Sequence, residues 1–369
     1  MAAIQLVSAR IALVTGEGVA ANLRRHWSRP GAMLLVALLL VANVFNIAAD
    51  LGAMAYAVQS LIGGSYHAYV IVLALAGLWL QVFVPFPKYS PFLKLLTLSL
   101  LAYGGTIFLV DVPWLDVLRH SAWPTVQWSG DYALMVVAVL GTTISPYLFF
   151  WQAGQEVEEL RSRADREPLK GASEALARTE IHRIKLDTWI GMGFSNVIAF
   201  CIMLTTAVTL NAHGITQIET TAQAAEALRP IAGEHAFLLF TLGLIGTGML
   251  AIPVLAGSAA YAVAEVLDMP ASLGLRVGEA RGFYAVLAAS VIVAIALDFN
   301  DVDPVRELFW SAVINGIIAV PIMAALMLLA MRRDVMGRWV MTRRHRIGGW
   351  SAVALMTASV VSLAWSSFR

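Results

Sequence analysis

The chain has 369 residues, 59% of them hydrophobic and 13% charged, with a formal net charge of +1 and a mean hydropathy of +0.75. Soluble domains run near half apolar and a quarter charged, so this composition excludes a soluble globular fold and points to a chain embedded in a bilayer. Near-neutral charge leaves no basic face for nucleic acid, and the single cysteine, Cys201, excludes a disulfide framework or a cysteine metal cage.

The start of the chain, Met1 to Leu6, lacks the basic stretch and cleavage site of a secretory signal. Residues 1–14 read as the last turns of a transmembrane helix, a remnant whose earlier part would lie upstream. At 14 residues they are too short to span, since about 20 are needed, and a short interfacial helix is the alternative. Apolar runs then predict nine spanning helices, at 32–62, 66–85, 91–110, 132–160, 188–211, 235–266, 282–298, 304–331 and 347–367, in one transmembrane domain. Lysine and arginine alternate with these spans. Segments 10–30, 86–94, 160–187, 267–281 and 332–346 hold 21 of the 25, and the other side holds Arg119, Arg229, Arg306 and Arg369 together with Asp298, Asp301 and Asp303. The basic side is expected to be cytoplasmic.

The overlong span 132–160 contains Gly141-Thr142-Thr143-Ile144-Ser145-Pro146-Tyr147. Pro146 has no N–H, so the Thr142 carbonyl loses its helical partner, and three hydroxyls lie within the same turn. Freed backbone at this depth must be buried in protein or line a wet cavity. A broken helix of this kind offers oxygen ligands to a cation; a simple proline kink is the competing reading. Other polar residues also fall inside spans. Asn43, Asn46 and Asp50 share one helical face by their spacing, and an intramembrane carboxylate is a functional candidate by default. Gln152 and Glu156 follow the break, and Asn315 lies in 304–331 with Ser311 one turn earlier. Asn196 reads as an interhelical hydrogen bond, Glu265 as a solvated helix end, and Gly243, Gly246 and Gly248 as close-packing positions. The seven histidines, His213 among them, form no cluster at ligand spacing. No phosphate loop or nucleophile–base pair suggests an enzyme.

These residues resemble a known family. GTTISPYLFFWQAGQEVEE (Gly141 to Glu159) is similar to the sixth helix of Nramp-type divalent metal transporters. NIAADLGAMA (Asn46 to Ala55) resembles the third, LFWSAVINGIIAVP (Leu308 to Pro321) the tenth, and SARIALVTGEGVAANLRRHW (Ser8 to Trp27) the end of the second. The resemblance implies an all-α polytopic membrane protein with a leucine-transporter-like inverted-repeat bundle, here without the first helix and most of the second. It also implies a secondary transporter in the cytoplasmic membrane that moves divalent cations with protons, the metal being cargo and not a resident cofactor. Carried over residue by residue, the resemblance makes Thr142, Ser145 and Tyr147 the metal positions and Asp50 the proton-coupling acid, with Asn46, Gln152 and Asn315 as further polar pathway residues. A second family acid, three residues after Asp50, is Ala53 here. The Asp-Pro-Gly-Asn motif of the family's first helix is absent: the only Asp-Pro is Asp303-Pro304. The family's sixth-helix Met-Pro-His is Ser145-Pro146-Tyr147. The substitution resembles the Nramp-related branch that lacks the methionine; a thioether favours softer transition metals, whereas hydroxyls and carbonyls favour harder ions, so Mg²⁺ or Mn²⁺ is expected ahead of Fe²⁺. A same-fold transporter of organic solutes and a non-transporting remnant are the alternatives.

Overall fold

A computed structural model describes the chain except at residues 85, 124, 126–128, 163–166, 212–213, 216–217, 219, 300–302 and 368–369. His213, Asp301 and Arg369 therefore lie outside the described residues, as does the end of the expected 66–85 span. Among the described residues the regular structure is helical: α1 (Ala2–Thr15), α2 (Val19–His26), α3 (Arg29–Ile62), α4 (Tyr66–Phe83), α5 (Phe86–Thr97), α6 (Leu101–Thr106), α7 (Trp114–Ala122), α8 (Gly130–Thr143), α9 (Tyr147–Ser162), α10 (Glu174–Thr209), α11 (Thr221–Glu226), α12 (Arg229–Ala232), α13 (Ala236–Leu267), α14 (Arg281–Asp298), α15 (Pro304–Met331), α16 (Arg333–Met336) and α17 (Arg343–Ser367). Eight segments are long and apolar enough to cross a membrane, with α8 and α9 taken together, and the α1–α2 pair, bent by 71°, would make a ninth. The chain is a multi-pass membrane protein.

Local chemistry sets the boundaries. Helix α3 starts where Ser28 accepts the Gly31 N–H at 3.3 Å with Pro30 in the first turn, and it ends at Gly63 with φ 71°. A serine cap of this kind satisfies one of the orphan donors of a helix start. Helix α1 is not interfacial. Its Ile4, Ala9, Ile11, Ala12, Leu13 and Val14 are fully buried, packed among α9, α15 and α17, and Gly16 closes it in the left-handed conformation.

Two expected spans differ from the sequence reading. Residues 91–110 do not form one helix but α5, with Pro91 inside it, a 3₁₀ turn at Leu98–Leu100, and α6. Helix α10 begins at Glu174, well before residue 188, because Ser173 caps it at Leu176 N and its charged first turns stay helical. Asn196 on that helix is exposed and donates to Met192 O of its own helix at 2.7 Å, and among the described residues it makes no interhelical bond.

Elsewhere small residues bring backbones together, as expected where packing and not hydrophobicity drives association. A Cβ on Gly246 would sit 2.6 Å from Leu96 Cβ and one on Gly248 2.6 Å from Met54 Sδ, with Gly243 against Ser99 and Leu100. The tightest crossing is between α8 and α15. A Cβ on Gly141 would overlap the Ala312 carbonyl, and one on Gly316 would lie 2.8 Å from Val137 O.

Four of the five basic segments meet at one end of the bundle. Leu169 N donates to Leu13 O, Arg24 pairs with Asp268 at 2.7 Å, Arg332 reaches His26 O at 2.8 Å, and Arg338 reaches Ala172 O at 2.8 Å. The exposed Asp334 is held by Arg332 at 2.6 Å, which pulls its carboxyl down to about 2.

Candidate functional site

The site grows from the interruption between α8 and α9. Ile144 N makes the last regular bond of α8, to Leu140 O at 2.7 Å, and α9 restarts with the tighter Leu148 N to Ser145 O (3.3 Å) and Phe149 N to Pro146 O (3.1 Å). The chain therefore breaks here and does not merely kink. Ser145 is buried, and its hydroxyl spans the gap, donating to Gly141 O at 3.0 Å and Thr142 O at 3.2 Å. The carbonyl that Pro146 frees thus gains a local donor, while the lone pairs of the serine oxygen stay available. Thr142 is exposed, and its side chain turns back to Ala138 O at 2.9 Å, so this residue offers its carbonyl more than its hydroxyl. Tyr147 opens α9 half-buried, within electrostatic reach of Asp50 on α3.

Helices α3 and α15 complete the wall. Asn46 and Asn315 exchange amide hydrogen bonds, Asn46 Nδ2 to Asn315 Oδ1 at 3.0 Å and Asn315 Nδ2 to Asn46 Oδ1 at 2.9 Å. Asn315 is beside Gly316, the residue on which α8 crosses at Gly141, so the amide pair stands next to the break. Asn43 does not join them. It is fully buried and donates to Leu255 O (2.9 Å) and Ser258 Oγ (2.7 Å) of α13, which splits the polar face that its spacing suggested.

Beyond the break, α9 carries a polar stripe of Gln152, Gln155, Glu156 and Glu159, three and four residues apart and hence on one face. The stripe lines a cavity of about 850 Å³ together with Arg183 and Asp187 of α10. Gln152 makes only a long contact to Thr188 Oγ1 at 3.5 Å, and among the described residues its Oε1 has no partner. Arg183 gathers Glu156 (2.6 Å), Glu180 (2.9 Å) and Glu159 (3.3 Å) at the basic end of the bundle. Among the described residues no three His, Cys, Asp or Glu side chains form a metal-holding group. Oxygen ligands at the break would come from backbone, hydroxyl and amide groups.

One residue read as solvated is not. Glu265 of α13 accepts N–H groups from Ala20 (3.1 Å) and Ala21 (3.2 Å) at the start of α2. A carboxylate there satisfies orphan donors and complements the helix dipole. The signal was Gly18, where any Cβ would overlap the Glu265 carboxylate.

A family profile described as "Natural resistance-associated macrophage protein-like" (Nramp) matches residues 1–366. The divalent metal cation transporter MntH of Deinococcus radiodurans is 24% identical over 368 residues, covering 98% of this chain and 79% of the relative. MntH of Burkholderia ambifaria is 24% identical over 376 residues, covering 99% and 79%. A crystal structure of the Eremococcus coleocola manganese transporter, in complex with an aromatic bis-isothiourea substituted compound, superposes with a TM-score of 0.71 at 17% identity, over 99% of this chain and 78% of that one. A mutant of the same transporter gives 0.72 at 15% identity, over 97% and 76%. The fold is the leucine-transporter-like bundle of those structures.

Proposed function

The chain belongs to the Nramp family, and on that footing we propose that it is a secondary transporter carrying divalent metal cations across the cytoplasmic membrane, coupled to protons. The observation that carries the reading is the broken α8–α9 segment, where Ser145 caps two freed carbonyls beside the Asn46–Asn315 pair and Tyr147 lies within electrostatic reach of Asp50. Thr142, Ser145 and Tyr147 are the cargo positions in this reading, and Asp50 takes and releases the proton. Asn46, Asn315 and Gln152 mark the path, with Gln152 at the head of the polar cavity. The donors at the break are hard oxygens with no thioether, which favours Mg²⁺ or Mn²⁺ over Fe²⁺; Mg²⁺ keeps several of its waters and suits a site with few protein ligands.

The test is uptake into proteoliposomes. Mn²⁺ influx should be competed by Mg²⁺ and driven by an inward proton gradient. Ser145→Met should shift preference toward Cd²⁺ by less than about tenfold, since one neutral ligand is worth about 1 kcal/mol net. Uptake of labelled amino acids without metal uptake would overturn the reading in favour of an organic solute.

A further inference from the structure

At the end of the bundle opposite the basic segments, three oxygens converge over one glycine. A Cβ built on Gly52 of α3 would lie 2.7 Å from Asp298 Oδ1, 2.8 Å from the Tyr66 hydroxyl and 3.1 Å from Glu307 Oε2. These groups come from three different helices, the last residue of α14, the first of α4 and the first turn of α15. We infer that Asp298, Glu307 and Tyr66 form a second cation site, a cradle over Gly52 that takes a hard divalent ion such as Mn²⁺ or Mg²⁺ on its way to the break.

Several independent features point to a ligand. Asp298 is 3% exposed, yet among the described residues its Oδ2 accepts no hydrogen bond; Glu307 is half-buried, and its Oε2 atom is likewise shielded and unpartnered among the described residues. Among the described residues the one side-chain bond to the pair is from the Tyr66 hydroxyl to Asp298 Oδ1 at 3.2 Å. Neither carboxylate forms an ion pair with a described lysine, arginine or histidine. A buried carboxylate beside a half-buried one, without a counter-charge among the described residues, is unfavourable, and a cation relieves both the repulsion and the unmet lone pairs. Glycine at position 52 leaves the space that any other residue would fill. Oxygen-only donors select hard ions, which complete their shell with water.

Position gives the site its role. Gly52 is six residues beyond Asn46 on α3, about 9 Å at 1.5 Å per residue, and Glu307 is eight residues before Asn315 on α15, about 12 Å. Both helices therefore lead from the cradle to the amide pair beside the break. Acidic groups at the end with few basic residues concentrate arriving cations. That role rests on the transport reading; the existence of the site does not.

The experiment counts bound Mn²⁺ on the purified full chain, by equilibrium dialysis with the paramagnetic signal of the free aqueous ion as readout. Wild type should bind one ion at the cradle and one at the break. Asp298→Asn with Glu307→Gln should lose one ion per chain, while Ser145→Ala with Tyr147→Phe, at the cargo positions of the break, should lose the other. Gly52→Ala keeps both charges and fills the cradle, so it should also lose the first ion. Asp298→Asn is nearly isosteric and lifts a like-charge repulsion, so its metal-free fold should melt no lower than wild type, while the Mn²⁺-induced rise in Tm disappears. An unchanged Mn²⁺ count in the Asp298/Glu307 variant overturns the site, whereas a lost cradle ion in a protein that takes up no metal overturns the transport reading and leaves the site standing.

Discussion

Asn46 and Asn315 are 269 residues apart and close a ring of two amide hydrogen bonds between α3 and α15. The pair is a structural tie between the two helices beside the break. Interhelical hydrogen bonds in membranes average roughly 0.6 kcal/mol and reach about 1.7. Asn46→Ala, Asn315→Ala and the double variant should therefore show a coupling of about 1 kcal/mol in a double-mutant cycle of detergent unfolding. A coupling near zero would mean that the two amides act separately. Both asparagines were legible in the sequence as intramembrane polar residues, but their partnership was not, because no local spacing joins positions so far apart. Glu265 failed for the same reason. An acid near a helix end is normally solvated, and only the distant start of α2 at Gly18–Val19 gives it donors. Asn43 shows the converse, since its spacing from Asn46 is helical but its partners are on α13.

Among the elements, the α8–α15 crossing fixes where the break sits. At Gly141 the atoms that a Cβ would meet are backbone, Ala312 O and Gly316 N, which no rotamer change can move. Gly141→Ala should force the helices apart and cost about 3 kcal/mol, the upper part of the overpacking range. Gly191 on α10 has nothing within 4 Å, so Gly191→Ala should be neutral or stabilise by up to about 1 kcal/mol from helix propensity. Thermal unfolding of the two variants in one detergent measures the contrast, and equal Tm values would refute the crossing. The break itself was legible because Pro146 removes a specific donor within a run too long for one straight span. The extension of α10 was not: apolarity marks only the part of a helix that lipid covers, and residues 174–187 are charged. Their charges enter the knot around Arg183. The division of 91–110 into α5 and α6 was likewise hidden, since an apolar run looks alike whether its helix is continuous or stepped.

For the whole molecule, the alternation of basic residues becomes a spatial polarity. Segments 10–30, 160–187, 267–281 and 332–346 bond to one another at one end, while Tyr66, Asp298 and Glu307 gather at the other. Segments that touch must share a side of the membrane, so the side of one decides the side of all four. By the excess of lysine and arginine, we propose that this side is the cytoplasmic one. A cysteine reporter tests this, placed where it disturbs neither a cap nor a contact. Ser173 is unsuitable because it caps α10, whereas Ala175, in the first turn of that helix, is exposed. In a Cys201→Ala background, Ala175→Cys should resist an impermeant thiol reagent in intact cells and react after permeabilisation. Ala222→Cys, exposed on α11 at the other end, should react in intact cells. The opposite pattern would invert the molecule, placing the 850 Å³ polar cavity outside and the Gly52 cradle inside, and the proposed direction of cation movement from cradle to break would reverse with it.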